Sequence, residues 1–260
     1  MEEMTGIIET EHWIESAAGR LYAKSWMPDV ETSQPPIILF HDSLGCIALW
    51  RDFPERLADS LGRRVIAYDR LGFGRSDARN DLLAQDFIAS EAEHFVPLLC
   101  EQLSIREFVA CGHSVGGGMA VETGARFGER CRAVITIAAQ AFVEDRTLQG
   151  IRVAQQEFKS ADTFARLAKY HGGKAEWVLH AWIDTWLDPA RAGWTLDAAL
   201  ENLRCPVLAI HGDRDEYGSE AHPRHIAAGR GPVHIMPDTG HVPHREHPAL
   251  VIKTIEDFLA

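Results

Sequence analysis

Two rhythms of apolar and polar positions alternate along the chain. Ile37–Phe40, Arg64–Tyr68, Glu107–Cys111, Arg132–Ala138, Pro206–Ile210 and Val233–Met236 are short, nearly continuous apolar runs bounded by turn residues. Runs of that length predict strands covered on both faces. Between them, apolar residues recur at helical spacing over 53–61, 84–103, 115–127 and 248–259. An opening hairpin is predicted from His12–Glu15 and Leu21–Trp26, turning at Ala18-Gly19-Arg20. Strands alternating with helices at this spacing imply right-handed crossovers. The expected fold is α/β, a mostly parallel central sheet with helices on both faces.

The alternation stops between Ala141 and Leu203. No buried strand is evident there, and helical segments carry four of the seven tryptophans, Trp177, Trp182, Trp186 and Trp194. His171-Gly172-Gly173 and Asp188-Pro189 punctuate them. The expected organisation is a core made of 1–140 and 204–260, with 141–203 inserted as a helical cap.

Composition narrows the class. A chain of 260 residues with 46% hydrophobic and 25% charged positions suits one large soluble domain. A formal net charge of −12 argues against nucleic acid or an anionic membrane as a partner. The five cysteines are scattered, without Cys-x-x-Cys, and read as small buried residues of a reducing compartment. The start Met1–Thr5 has no basic stretch leading into an apolar core, and no run of 18 apolar residues occurs. A cytoplasmic protein, monomeric or homodimeric, is the expectation.

The chemistry centres on Gly112-His113-Ser114-Val115-Gly116, where an apolar run meets a helix-like segment. A strand, a sharp turn and a helix in that order hold a serine exposed at the top of a parallel sheet. Side chains at 112 and 116 would clash with the neighbouring strand and helix. The helix starting at Val115 aims backbone donors at any oxyanion formed beside Ser114. Two later segments, His211-Gly212-Asp213-Arg214-Asp215 and Asp238-Thr239-Gly240-His241, follow strand ends, where open parallel sheets place their sites. The chain order is therefore nucleophile, acid, histidine.

With His41-Asp42-Ser43-Leu44-Gly45 and Asp69-Arg70-Leu71-Gly72-Phe73-Gly74-Arg75-Ser76-Asp77 added, five ordered motifs resemble the α/β-hydrolase superfamily from about residue 10 to the end. The resemblance implies a cofactor-free serine hydrolase with Ser114 as nucleophile, His241 as base and Asp215 as the carboxylate that orients it. Asp213 and Glu144 are competing carboxylates. It further implies an oxyanion hole from the backbone amides of Ser43 and Val115. Relatives usually have His-Gly where this chain has His41-Asp42, which brings a carboxylate toward a site that must stabilise negative charge. His41 is expected to pack below the site. A serine nucleophile argues against the dehalogenase and epoxide hydrolase chemistries of relatives with aspartate there.

The expected substrate is a small carboxylic ester or thioester, with carbon–carbon bond hydrolysis or a slow-turnover small-molecule sensor as alternatives. Candidate pocket residues on the core are Asp42, Leu44, His113 and Val242. From the cap come Phe142, Trp177, Trp182 and Trp186, although Trp177 and Trp182, five positions apart, cannot face one way on a regular helix. His171, His180 and Tyr217 are also within sequence reach. His241, His244 and His247 recur every third residue, but flanking prolines and the role of His241 argue against zinc. The glycines lack a nucleotide-binding pattern, so no cofactor or metal is expected.

Overall fold

The computed structural model describes residues 6–29 and 32–260. The acidic Met1–Thr5 segment, discussed above for its lack of a leader pattern, lies outside the described residues. Eight strands form one sheet: β1 (Ile7–Ile14), β2 (Leu21–Pro28), β3 (Ile37–Phe40), β4 (Val65–Tyr68), β5 (Phe108–His113), β6 (Cys131–Ile137), β7 (Val207–Gly212) and β8 (Val233–Met236). Their order is β1-β2-β4-β3-β5-β6-β7-β8. β1 and β2 pair as the predicted hairpin, β2 runs antiparallel to β4, and β3 to β8 pair in parallel.

Period-two alternation sends neighbouring apolar residues to opposite layers. Ile37 and Leu39 face α1 (Phe53–Leu61) and, with Ile135 and Leu208, the C-terminal helix. Ile38 and Phe40 face the other layer. That layer holds α2 (Phe87–Ser90), α3 (Val96–Gln102) and α4 (Val115–Phe127). Each such side chain withdrawn from water contributes ~1.5–3 kcal/mol. The continuous helix expected over 84–103 instead carries a π-helical turn at Glu91–Phe95 between α2 and α3. There the buried Glu91 accepts a 2.8 Å hydrogen bond from the Tyr68 hydroxyl.

Four helices, α5 (Asp145–Glu157), α6 (Ala161–His171), α7 (Ala175–Leu187) and α8 (Asp197–Asn202), stand between β6 and β7. The core resumes with α9 (Ala221–Ala227), α10 (Pro243–Glu246) and α11 (Pro248–Leu259). Polar contacts tie α6 to the loops above the sheet. Gly74 N–H donates to His171 Nδ1 at 2.9 Å, so Nε2–H of the same ring donates to the Leu44 carbonyl at 2.9 Å. The Arg191 guanidinium is buried among the rings of Phe87, Trp186 and Trp194, each 4.7–4.9 Å away. Among the described residues no helix is long and apolar enough to cross a membrane.

Candidate active site

Ser114 sits between β5 and α4 with φ 54° and ψ −125°, a conformation that costs a non-glycine residue ~1–3 kcal/mol. The flanking glycines make this turn possible. A Cβ at Gly112 would lie 1.9 Å from the Gly116 carbonyl oxygen, and one at Gly116 would lie 2.1 Å from the Phe40 carbonyl oxygen. Both obstacles are backbone, one in the elbow's own helix and one in β3, so neither can swing aside. Gly116→Ala is therefore expected to destabilise the protein by about 3 kcal/mol or more, read as a lowered thermal midpoint. An unchanged midpoint would mean that the elbow can spread.

The three predicted side chains meet. The Ser114 hydroxyl lies 3.0 Å from His241 Nε2, and His241 Nδ1 lies 2.9 Å from each oxygen of Asp215. Asp215 is sealed from solvent and also accepts the Tyr217 N–H at 2.7 Å. Burial by itself would raise its pKa, but the facing His241 and these hydrogen bonds hold the carboxyl below its ordinary range. Burial pushes His241 downward, whereas Asp215 stabilises the imidazolium more strongly, so its pKa is raised overall.

The competing carboxylates have other partners. Asp213 accepts the Thr239 N–H at 3.2 Å and so braces the histidine loop. Glu144 accepts both N–H and O–H of Ser219, at 2.6 and 3.0 Å, and lies 3.1 Å from His222. Neither contacts His241 among the described residues.

The backbone N–H groups of the loop after β3 and of the elbow differ in their partners. The Leu44 N–H donates to Asp42 Oδ1 at 2.9 Å and the Gly45 N–H to the Asp42 carbonyl. Those of Ser43 and Val115 have no acceptor among the described residues. His41 lies below, its Nε2 accepting the Arg70 N–H at 3.1 Å and its Nδ1–H donating to the Asp42 carbonyl at 2.8 Å.

Asp42 both braces its loop and borders the cavity. Its Oδ2 lies 3.3 Å from His113 Nδ1, while His113 Nε2 donates to the His241 carbonyl at 2.7 Å. One imidazole thus joins the loop after β3, the elbow and the histidine loop. Burial alone would raise the Asp42 pKa, but the hydrogen bond and charge of His113 outweigh it and keep the carboxyl far below its usual range. A depressed carboxyl pKa contributes stability above the unfolded value, about 4, and loses it as pH falls toward the folded value. Asp42→Asn is expected to cost on the order of 2 kcal/mol at pH 7. Urea unfolding should show that gap full above about pH 4 and narrowing as the pH is lowered from there toward 2, and a gap independent of pH would exclude the carboxylate charge as its source.

A cavity of about 200 Å³ opens beside Ser114 and His241. Of the sequence candidates, Asp42, Leu44, His113, Trp182, Trp186 and Val242 border it, as do Ser43 and Tyr217. Phe142 and Trp177 do not, and both require correction. Phe142 bridges to Thr195 and lays its ring 4.4 Å from that of His222. Trp177 is turned to another side of α7, edge-on to Phe73 at 5.5 Å, with its indole N–H donating to the Asp81 carbonyl. His171 is taken up by the interactions that anchor α6, and the exposed His180 pairs with Asp184. His244 packs under Trp50 at 4.7 Å, and His247 is exposed at the start of α11.

Leu49, Gln140, Thr147, Ile151 and Arg245 complete the lining without having been singled out by any motif. Gln140 places its side-chain amide 3.4 Å from the Ser114 hydroxyl. The only signal for it was position, just beyond the strand that follows the elbow.

This sheet order, with a serine at the strand–helix elbow and an acid and a histidine after later strands, defines a recognisable class. The sequence profile described as alpha/beta hydrolase fold matches residues 35–193, and the chain belongs to that family. Its relatives include the serine hydrolase BPHL of Mus musculus, 25% identical over 80% of this chain and 74% of that protein. The 2-hydroxymuconate semialdehyde hydrolase of Pseudomonas sp. (strain CF600) is 28% identical over 86% of this chain and 87% of its own length. Carboxylesterase CesB (YbfK) from Bacillus subtilis superposes with a TM-score of 0.72 at 19% identity, covering 99% of this chain and 93% of that one. The expectation of an α/β-hydrolase enzyme thus holds at the level of the family.

Proposed function

We propose that this protein is a serine hydrolase that cleaves a small carboxylic ester or thioester through an acyl-enzyme. The observation that carries the reading is the continuous chain of contacts Ser114–His241–Asp215 at the wall of a cavity. A free hydroxyl is a poor nucleophile at neutral pH. His241 Nε2 takes the Ser114 proton as Oγ attacks the carbonyl carbon, and returns it to the leaving alcohol or thiol. A water deprotonated by the same nitrogen then hydrolyses the acyl-enzyme. Asp215 keeps Nδ1 protonated, so Nε2 stays the acceptor. The free N–H groups of Ser43 and Val115 receive the oxyanion.

Residues 141–203 act as the cap over the 1–140 and 204–260 core. Its Ile151, Trp182 and Trp186 close an apolar wall opposite Leu44, Leu49 and Val242, and the cavity suits a short acyl group. Catalysis needs no cofactor or metal.

The test is fluorophosphonate labelling of the wild-type enzyme together with turnover of p-nitrophenyl acetate and butyrate. Labelling with ester turnover is the expected result. A folded enzyme that neither labels nor turns over would overturn the reading. Carbon–carbon bond hydrolysis is a second reading, favoured by the near-full-length similarity to the Pseudomonas enzyme. Turnover of 2-hydroxymuconate semialdehyde much faster than of any ester would select it.

A further inference from the structure

Arg245 lies four positions after His241, in α10, and borders the same cavity. Its Nε is buried and has no hydrogen-bond acceptor. Among the described residues no carboxylate oxygen lies within the 4.0 Å of an ion pair with it. A guanidinium carries five donors and accepts nothing, so it needs an acceptor from elsewhere. The opposing charge that acts on it is Asp42, whose oxygens already serve the Leu44 N–H and His113. Much of the remaining wall is apolar, through Leu44, Leu49, Ile151, Trp182, Trp186 and Val242.

We propose that Arg245 is the subsite for a carboxylate carried by the substrate, so that the ester or thioester cleaved at Ser114 is a half-ester of a short dicarboxylic acid or a close analogue. This inference rests on the hydrolase reading and specifies its substrate class. A planar carboxylate matches the guanidinium fork with two parallel hydrogen bonds, which a compact ammonium would not offer. Charge selects a carboxylate over a phosphate. One monoanion balances one guanidinium, whereas a dianion would leave excess negative charge beside Asp42. The cavity volume of about 200 Å³ limits the acid to a few carbons.

The experiment compares monomethyl succinate, glutarate and adipate with neutral methyl esters of equal chain length, followed by pH-stat in wild type, Arg245→Gln and Arg245→Lys. Wild type should favour at least one half-ester over its neutral counterpart by tenfold or more in kcat/KM. That ratio should fall at least tenfold in Arg245→Gln and recover in part in Arg245→Lys. Neutral esters favoured throughout the series, or a ratio that Arg245→Gln leaves in place, would overturn the proposal. Calorimetric titration of monomethyl glutarate into Ser114→Ala and Ser114→Ala/Arg245→Gln separates this subsite from the hydrolase reading. Binding lost with Arg245 supports the subsite even if wild type cleaves no ester, and equal binding or none in both overturns it.

Discussion

Replacing Ser114 by alanine is expected to abolish fluorophosphonate labelling and to lower ester kcat by roughly 10⁶-fold, the scale seen when a triad nucleophile is deleted. The loss is large because in the proposed mechanism the hydroxyl forms the acyl-enzyme and has no neighbour able to replace it. No cysteine borders the cavity, and among the described residues the other hydroxyls bordering it belong to Ser43, Thr147 and Tyr217. None of these three hydroxyls hydrogen-bonds His241 Nε2 among the described residues, whereas Ser114 lies 3.0 Å from it. Folding should survive, since alanine suits the turn no worse than serine and the Ser114 N–H bond to the Ile137 carbonyl is backbone. The check is kcat and labelling stoichiometry beside a thermal melt. Activity kept within tenfold would remove Ser114 from the mechanism.

Asp215→Asn is expected to lower kcat by about 10⁴-fold with little change in the fold. An amide at 215 can still accept the Tyr217 N–H, but its NH₂ turned toward His241 favours the tautomer with the proton on Nε2. That nitrogen can then no longer take the serine proton. The pH profile should change as well. Asp215 raises the His241 pKa by stabilising the imidazolium, and the proposed mechanism requires the neutral ring. The acid limb of kcat/KM should therefore lie above pH 6.5 in the wild type and move to lower pH in the variant. An acid limb that stays in place would show that another group controls it. The carboxylates of the exposed Asp213 and the half-buried Glu144 cannot rescue the variant by direct contact, being engaged with Thr239 and Ser219.

Local pattern made much of this site legible. Strand and helix limits followed from apolar periodicity, which depends on neighbours a few positions away. The C-terminal helix and α1 run over the residues that their spacing predicted. The elbow was readable because its glycines stand at fixed spacing about Ser114, although only the demand at Gly112 is local and the obstacle at Gly116 is the Phe40 carbonyl of β3. The acid and histidine were readable through their place after strand ends, with the family resemblance choosing Asp215 over Asp213.

What lay beyond the sequence was every choice made by contacts between distant segments. The π-helical turn at Glu91 faces a tyrosine on β4, which helical spacing alone does not contain. Phe142 and Trp177 have the same apolar, aromatic character as Trp182 and Trp186. Only the packing of α7 on Phe73, and the bridge from Phe142 to Thr195, decided which rings border the cavity. The departure at Asp42 read as a puzzle in one dimension. Its partner His113 is 71 positions away and comes within 3.3 Å only when β3 and β5 pair in parallel. Gln140 and Arg245 belong to no motif, and the tertiary fold alone sets the first beside the serine and the second on the wall of the same cavity. Periodicity encodes which face of an element is apolar, so the sequence by itself determined the layers and the order in which Ser114, Asp215 and His241 follow the strands. Which side chains share one cavity depends on the crossing of elements far apart in the chain, and the tertiary structure decided that.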